Sequence, residues 1–198
     1  MPLGANKAAI MGVSGTAVTG DVVLLSSQTA TGDSELDFSS RITSTYGEYI
    51  FKFYNINPET DAAEFTFQVN ATDDPGGDYD TSTIQSTFFR WGHSEADATS
   101  TGYHGTYDQA NGTAFQTLAY DIGNGADESA AGEMHLFNPA STTYIKHFYA
   151  RTITYRYDSS AWDVFAAGYI NDTTAIDDIR FKMSSGDFDG TIKMWGVK

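Results

Sequence analysis

The stretch Tyr49-Ile50-Phe51-Lys52-Phe53-Tyr54-Asn55-Ile56-Asn57-Pro58 decides how this chain folds. Tyr49, Phe51 and Phe53 occupy every second position, which in an extended chain puts all three rings on one face. Lys52 and Tyr54 then point the other way, and residues 55–58 supply turn chemistry that ends the strand. A helix would scatter these rings around its circumference, whereas a strand half-exposed to water gathers them. The next apolar segment repeats the pattern. Phe65, Phe67 and Val69 alternate with Thr66, Gln68 and Asn70 before the turn run Asp73-Asp74-Pro75-Gly76-Gly77-Asp78.

The same reading extends in both directions. Residues 22–27 form a short apolar run, and Leu36 and Phe38 alternate with Glu35, Asp37 and Ser39. Further on, strand-like segments cover 83–91, 101–107, 114–120, 133–137, 142–157, 161–170, 176–183 and 191–197, divided by Asn-Gly, Asn-Pro, Asp-Ser and Gly-rich turns. Residues 184–190 read as a hairpin loop, and 58–64 as a single helical turn. Nowhere does helical periodicity last three turns. About ten strands at this spacing predict an all-β fold, a single antiparallel β-sandwich of jelly-roll-like form over residues 21–198. Residues 1–20, rich in Gly, Ala, Ser and Thr with Lys7 as the one charge, read as an N-terminal arm. Tyr49, Phe51, Phe53, Phe65, Phe67, Ile179 and Phe181 are the expected core.

With 26 acidic against 11 basic residues the chain carries a formal charge of −15. Nucleic acid binding needs clustered Lys and Arg to displace counterions, so neither nucleic acid nor an anionic membrane is an expected partner. There are no cysteines, which removes disulfides, thiolate metal sites and thiol nucleophiles. No apolar run reaches the roughly 20 residues of a membrane span, and residues 1–20 read poorly as a signal peptide.

His93, His104, His135 and His147 stand too far apart for a helical zinc motif, and no phosphate loop, nucleophile elbow or dinucleotide fingerprint is present. A glycosidase needs two carboxyls facing each other in a cleft. Here Glu35, Asp37, Glu48, Glu64, Glu133, Asp163 and Asp178 lie in or beside strands opposite apolar alternation partners, which places them on solvent faces. The acidic turns 73–80 and 121–127 offer oxygen ligands but lack the ordered spacing of an EF-hand, so they read as solvated turns. Trp91, Trp162, Trp195, Tyr103, Tyr107 and Tyr120 are the candidates for a sugar-stacking platform, against a role in core or interface. The expectation is a protein that is not an enzyme, with no catalytic residues, no metal site and no cofactor.

Three segments carry a resemblance: Thr43-Ser-Thr-Tyr-Gly-Glu-Tyr-Ile-Phe-Lys-Phe-Tyr-Asn-Ile-Asn-Pro58, Ser141-Thr-Thr-Tyr-Ile-Lys-His-Phe148, and the ending from Ile176-Asp-Asp-Ile-Arg-Phe-Lys-Met-Ser-Ser-Gly186 to Gly190-Thr-Ile-Lys-Met-Trp-Gly196. They resemble small virion structural proteins of tailed bacteriophages, especially marine ones. Members usually place Leu-Tyr before the last Gly, where this chain has Met194-Trp195. The resemblance implies a virion component made in the host cytoplasm and exposed on the particle, and it transfers no active site. A capsid-decorating or cement protein on the outer shell is the leading expectation. Its expected partners are the major capsid protein or other virion proteins, and further copies of itself in a homo-oligomer. A receptor- or glycan-binding tail fibre or spike component is the alternative.

The arm has a consequence of its own. Leu3, Ile10, Met11, Val13 and Val18 give it more apolar side chains than a linker needs. Deleting residues 1–20 is expected to leave a folded domain that no longer incorporates into particles. Full occupancy by the truncated protein would show that the anchor lies elsewhere.

Overall fold

The computed structural model describes residues 21–39, 41–74, 79 and 82–198, and among them every regular element is a strand. The expected arm, and Asp78 and Asp80 of the acidic turn, lie outside the described residues. The strands in chain order are β1 (Val22–Asp33), β2 (Glu35–Phe38), β3 (Glu48–Pro58), β4 (Ala63–Ala71), β5 (Ile84–Ser94), β6 (Thr99–Tyr103) and β7 (Ala110–Gly112). They continue with β8 (Gln116–Ile122), β9 (Ala130–Phe137), β10 (Lys146–Arg156), β11 (Ser160–Ile170), β12 (Ile176–Met183) and β13 (Phe188–Val197).

All recorded strand pairs are antiparallel. They join in one path, β1-β13-β3-β9-β10-β8-β4-β12-β2, which curls until its two ends approach each other. The Gln28 side chain on β1 donates to the Asp37 carbonyl on β2 at 2.7 Å, across the remaining seam. The result is an antiparallel sheet nearly closed into a barrel. From β10 a wing extends the sheet further: β11 pairs with β10, β5 with β11, and the short β6 and β7 pair with β5.

Local chemistry explains several breaks. Asn138 takes the left-handed conformation (φ 45°) immediately after β9. Asn55, also left-handed (φ 52°), interrupts the register of β3 against both its neighbours. Opposite this bulge sits Gly190 (φ 143°), where an added Cβ would lie 2.9 Å from the Asn55 carbonyl oxygen. Only glycine lets the two strands meet there.

Two local expectations are corrected. Residues 58–64 contain no helical turn: β3 runs through Pro58, and the chain reverses at Ala62 (φ 59°) before β4 begins. Residues 184–190 are not a hairpin loop, because β12 pairs with β4 and β2 while β13 pairs with β1 and β3. Residues 184–187 instead carry the chain across the barrel, from the row β8-β4-β12-β2 to the row β1-β13-β3-β9. Turn composition is the same in both cases, so only the partners distinguish them. Among the described residues the strands number thirteen, with Asn111-Gly112 inside β7 rather than between strands.

The seven residues expected in the core are all buried, none more than 2% exposed. They build an aromatic cluster between the strand rows. The Phe181 ring lies 5.2 Å from Phe51, 5.4 Å from Phe53, 5.8 Å from Phe65, 6.0 Å from Phe38 and 6.4 Å from Phe67. Edge and offset contacts of this kind add to the area term for each ring. A less apolar anchor closes one end, where the buried Lys146 ammonium donates to the carbonyls of Asp172 (2.9 Å) and Thr174.

Phe181→Ala removes the ring common to five aromatic pairs and is expected to destabilise the fold by about 3–5 kcal/mol, the range for truncating a core aromatic. Urea unfolding of the variant measures it. A loss below about 1 kcal/mol would mean that the neighbouring rings collapse into the space without cost.

Candidate functional site

The two outer faces of the barrel are treated differently by the chain. Over β4, β12 and β2 the outer face is roofed. The Gln68 amide nitrogen donates to the carbonyls of Ser82 (3.2 Å) and Thr113 (2.9 Å). Tyr79 lies over the Arg180 guanidinium at 4.4 Å, and Phe115 meets Lys182 at the same distance. Arg180 is also bonded to both oxygens of Asp37 (2.7 and 2.6 Å) and lies 2.8 Å from Glu35.

Over β10, β11, β5 and β6 no described residue covers the outer face, and this bare face is rich in large apolar side chains. Tyr149, Ile153, Tyr155, Phe165, Phe89, Trp91 and Tyr103 point outward, between 38% and 52% exposed. The inward side of the same strands includes Ser86, Thr152, Thr154 and Ser160, all buried. Three of them are accommodated by hydrogen bonds: Ser86 donates to the Gln116 side chain (2.6 Å), Thr152 to the Leu118 carbonyl (2.7 Å), and Ser160 accepts from Trp162 Nε1 (2.7 Å). A sheet with one wet face normally alternates apolar-in and polar-out. Here the inner side is apolar as expected, with Ile84, Phe88, Phe148, Trp162, Val164 and Ile170 buried, and the outer side carries large rings as well.

The outward rings form a connected surface. Phe89 lies 5.2 Å from Tyr103 and 6.4 Å from Trp91, and Trp91 lies 6.4 Å from Phe165. The strand register continues it across the barrel: Tyr103, Phe89, Phe165, Arg151, Glu133, Lys52 and Lys193 are successive cross-strand neighbours. A neighbouring row runs through Tyr149, His135, Ile50, Trp195 and Leu24. The charges in this surface are matched within it. Arg151 forms a two-pronged pair with Asp163 (3.0 and 2.7 Å) and covers the Phe165 ring. Lys52 lies 3.4 Å from Glu133, His135 lies 2.5 Å from Glu48 and stacks on Tyr149 at 4.5 Å, and Lys193 lies over Tyr54.

The candidate residues fall into distinct places. Trp91 and Tyr103 lie on the bare face and Trp195 is half-buried beside it. Tyr120 and Trp162 are not surface rings at all. They form a second small core with Phe88 and Val164, against which Tyr107 packs. Gly92 makes room for Trp162, since a Cβ there would come within 2.3 Å of the indole. Arg90 lies 4.6 Å from the Trp162 ring and donates to the Tyr120 hydroxyl at 2.8 Å. The four histidines remain apart: His93 bonds Asp97, His104 stacks on Tyr107, and His147 lies near Tyr169. Among the described residues no group of three or more His, Asp or Glu is arranged to hold a metal ion. In the 121–127 segment, Asp121 accepts from Arg156 at 2.7 and 3.0 Å, and the turn beyond it closes on the Glu128 carboxylate.

What the sequence reading missed is the grouping of Phe89, Phe165, Tyr149, Ile153 and Tyr155. A signal was available in 142–157, where both alternation sets contain large apolar residues. Compared with known proteins, the chain matches no family model and no curated protein.

Burial raises the phenol pKa of Tyr79, Tyr107 and Tyr120 above the ordinary 10.0, that of Tyr107 to about 12. These phenols stay neutral in the folded protein at a pH where the unfolded chain ionises. The stability tied to them is therefore complete below pH 10 and is lost as pH rises from 10 through 12. The Lys146 ammonium, lowered by desolvation, acts in the opposite sense as one group against three. The urea midpoint is expected to fall steadily above pH 10. A midpoint that stays level to pH 12 would contradict the burial of these hydroxyls.

Proposed function

We propose that this protein is a non-catalytic structural component of a tailed-phage virion, decorating the outer capsid shell as a cement protein. The observation that carries the reading is the bare aromatic face on a barrel whose opposite face is roofed by its own chain. A large exposed apolar patch on an otherwise strongly charged protein is the mark of a contact surface. The strand carboxylates Glu35, Asp37, Glu133 and Asp163 are tied to Lys or Arg on sheet faces and Glu48 to the His135 ring, which favours contact over hydrolysis. The resemblance of the 43–58, 141–148 and 176–196 segments to small virion proteins supplies the setting. The charge of −15 suits an outward position away from packaged DNA.

The finer fold assignment belongs to the same proposal. Dividing the barrel at Arg156↔Ile122, the only recorded β10–β8 pair, leaves the rows β1-β13-β3-β9-β10 and β2-β12-β4-β8. With β10 set aside as part of the wing, the other eight strands numbered in chain order run 1-8-3-6 and 2-7-4-5, the order of two interlocked Greek keys in a jelly-roll sandwich. On this reading the wing is an insertion that widens one sheet. Jelly rolls serve as capsid and lectin domains alike.

A receptor- or glycan-binding appendage is the second reading, favoured by the exposed Trp91 beside the hydrogen-bonding groups of Asp163 and Arg151. The two readings separate on particles lacking the protein. A cement protein binds the assembled shell preferentially and stabilises it by mass action. Its omission is expected to lower the temperature of DNA release while leaving adsorption to cells unchanged. Lost adsorption with an unchanged release temperature would establish the appendage reading instead.

A further inference from the structure

We infer that the bare aromatic face is covered by a second copy of this chain, stacked sheet against sheet. The inference rests on the contact-protein reading above and names the partner that this reading leaves open.

Charge is the first reason. The protein as a whole carries −15, so two copies repel across most of their surfaces. The bare face is an exception. Glu48, Glu133 and Asp163 within it are set against Lys52, Arg151 and Lys193, and each of the three already has a partner within the face, while at its edges Asp108 accepts from the Tyr103 hydroxyl and Asp189 from the Gly32 amide. A basic partner would be met by unpaired acids, and here the acids are satisfied internally. What remains to be recognised is apolar and neutral, and an identical face offers that without like-charge opposition.

Area is the second reason. The face spans seven strands, from β13 through β3, β9, β10, β11 and β5 to β6. At about 4.8 Å between strands this is roughly 29 Å wide, and the six-residue step from Tyr149 to Tyr155 adds about 20 Å of length. Measured along the sheet the footprint is roughly 600 Å², which approaches the ~800 Å² that each partner of a stable protein complex buries. Its composition is also that of an interface centre, with Trp91, Tyr103, Tyr149, Phe89, Phe165 and Arg151 grouped together. Rings on one sheet would interdigitate with those on the other at the roughly 10 Å spacing of packed sheets.

Sedimentation equilibrium of the full chain tests this, with Ile153→Lys and Trp91→Lys as separate variants. Both positions are about half exposed, 51% and 46%, so either substitution leaves the barrel core untouched. Circular dichroism and a thermal melt verify that the variants fold. The wild type is expected to sediment at two or more times 21.5 kDa, and each variant to weaken self-association by about tenfold or more. Tyr144→Lys serves as the control, because Tyr144 is 73% exposed but lies in the loop before β10, and it is expected to associate as the wild type does. A wild type that stays at 21.5 kDa at every concentration overturns the inference. So does association that survives both face substitutions. Monomers that still raise the DNA-release temperature of particles would sink this inference and leave the shell reading intact. Self-associating protein that neither binds nor stabilises particles would sink the shell reading and leave this one.

Discussion

Phe181 sits where the two rows of strands close on each other, and the barrel depends on that closure. Its ring meets Phe38 from β2, Phe51 and Phe53 from β3, and Phe65 and Phe67 from β4. Three of these rings come from the same row as Phe181 and two from the opposite row. Backbone hydrogen bonds hold strands within a row, but they do little to hold one row against the other. That work falls to apolar burial, which has no direction and needs interlocking shapes to specify one arrangement. An aromatic cluster of this size supplies both.

The closure also accounts for the long connections. β1 pairs with β13 and β2 with β12, so the first strands are finished only by the last. Gln28 bridges the two rows at the seam where backbone pairing stops. A chain with this topology must bring its ends together before the sheet is complete. Contacts of such high sequence separation slow folding, because loop-closure entropy is lost before most contacts form.

The wing grafts a second kind of surface onto this scaffold. Its inner side packs on β8 and the barrel through Ile84, Phe88, Trp162, Val164 and Ile170, and satisfies Ser86, Thr152 and Ser160 by hydrogen bonds. Its outer side carries further rings that the described residues leave uncovered. Such a face is costly for an isolated molecule, which leaves apolar area in water, and becomes favourable once another surface covers it. The matched charges around the rings, Arg151 with Asp163 and Lys52 with Glu133, keep that surface soluble without making it strongly anionic.

Much of this was legible in the sequence. Alternation in 49–54 and 65–70 gave the strand state and the buried side of β3 and β4, because an extended chain turns every second residue to the same face. The all-β class followed from the same rule. Partner choice was not legible: 184–190 has the composition of a hairpin, and only the tertiary structure shows it crossing between rows. Nor was the bare face. In β10 the inward set is Lys146, Phe148, Ala150, Thr152 and Thr154, while Tyr149, Ile153 and Tyr155 look out. His147 and Arg151 share that outer side, and with large apolar residues in both sets hydropathy alone gives this strand no clear inner face. Period-two patterning says which residues share a face, but not whether core or water lies beyond it. That was decided by β8 on one side, and by nothing from the described residues on the other.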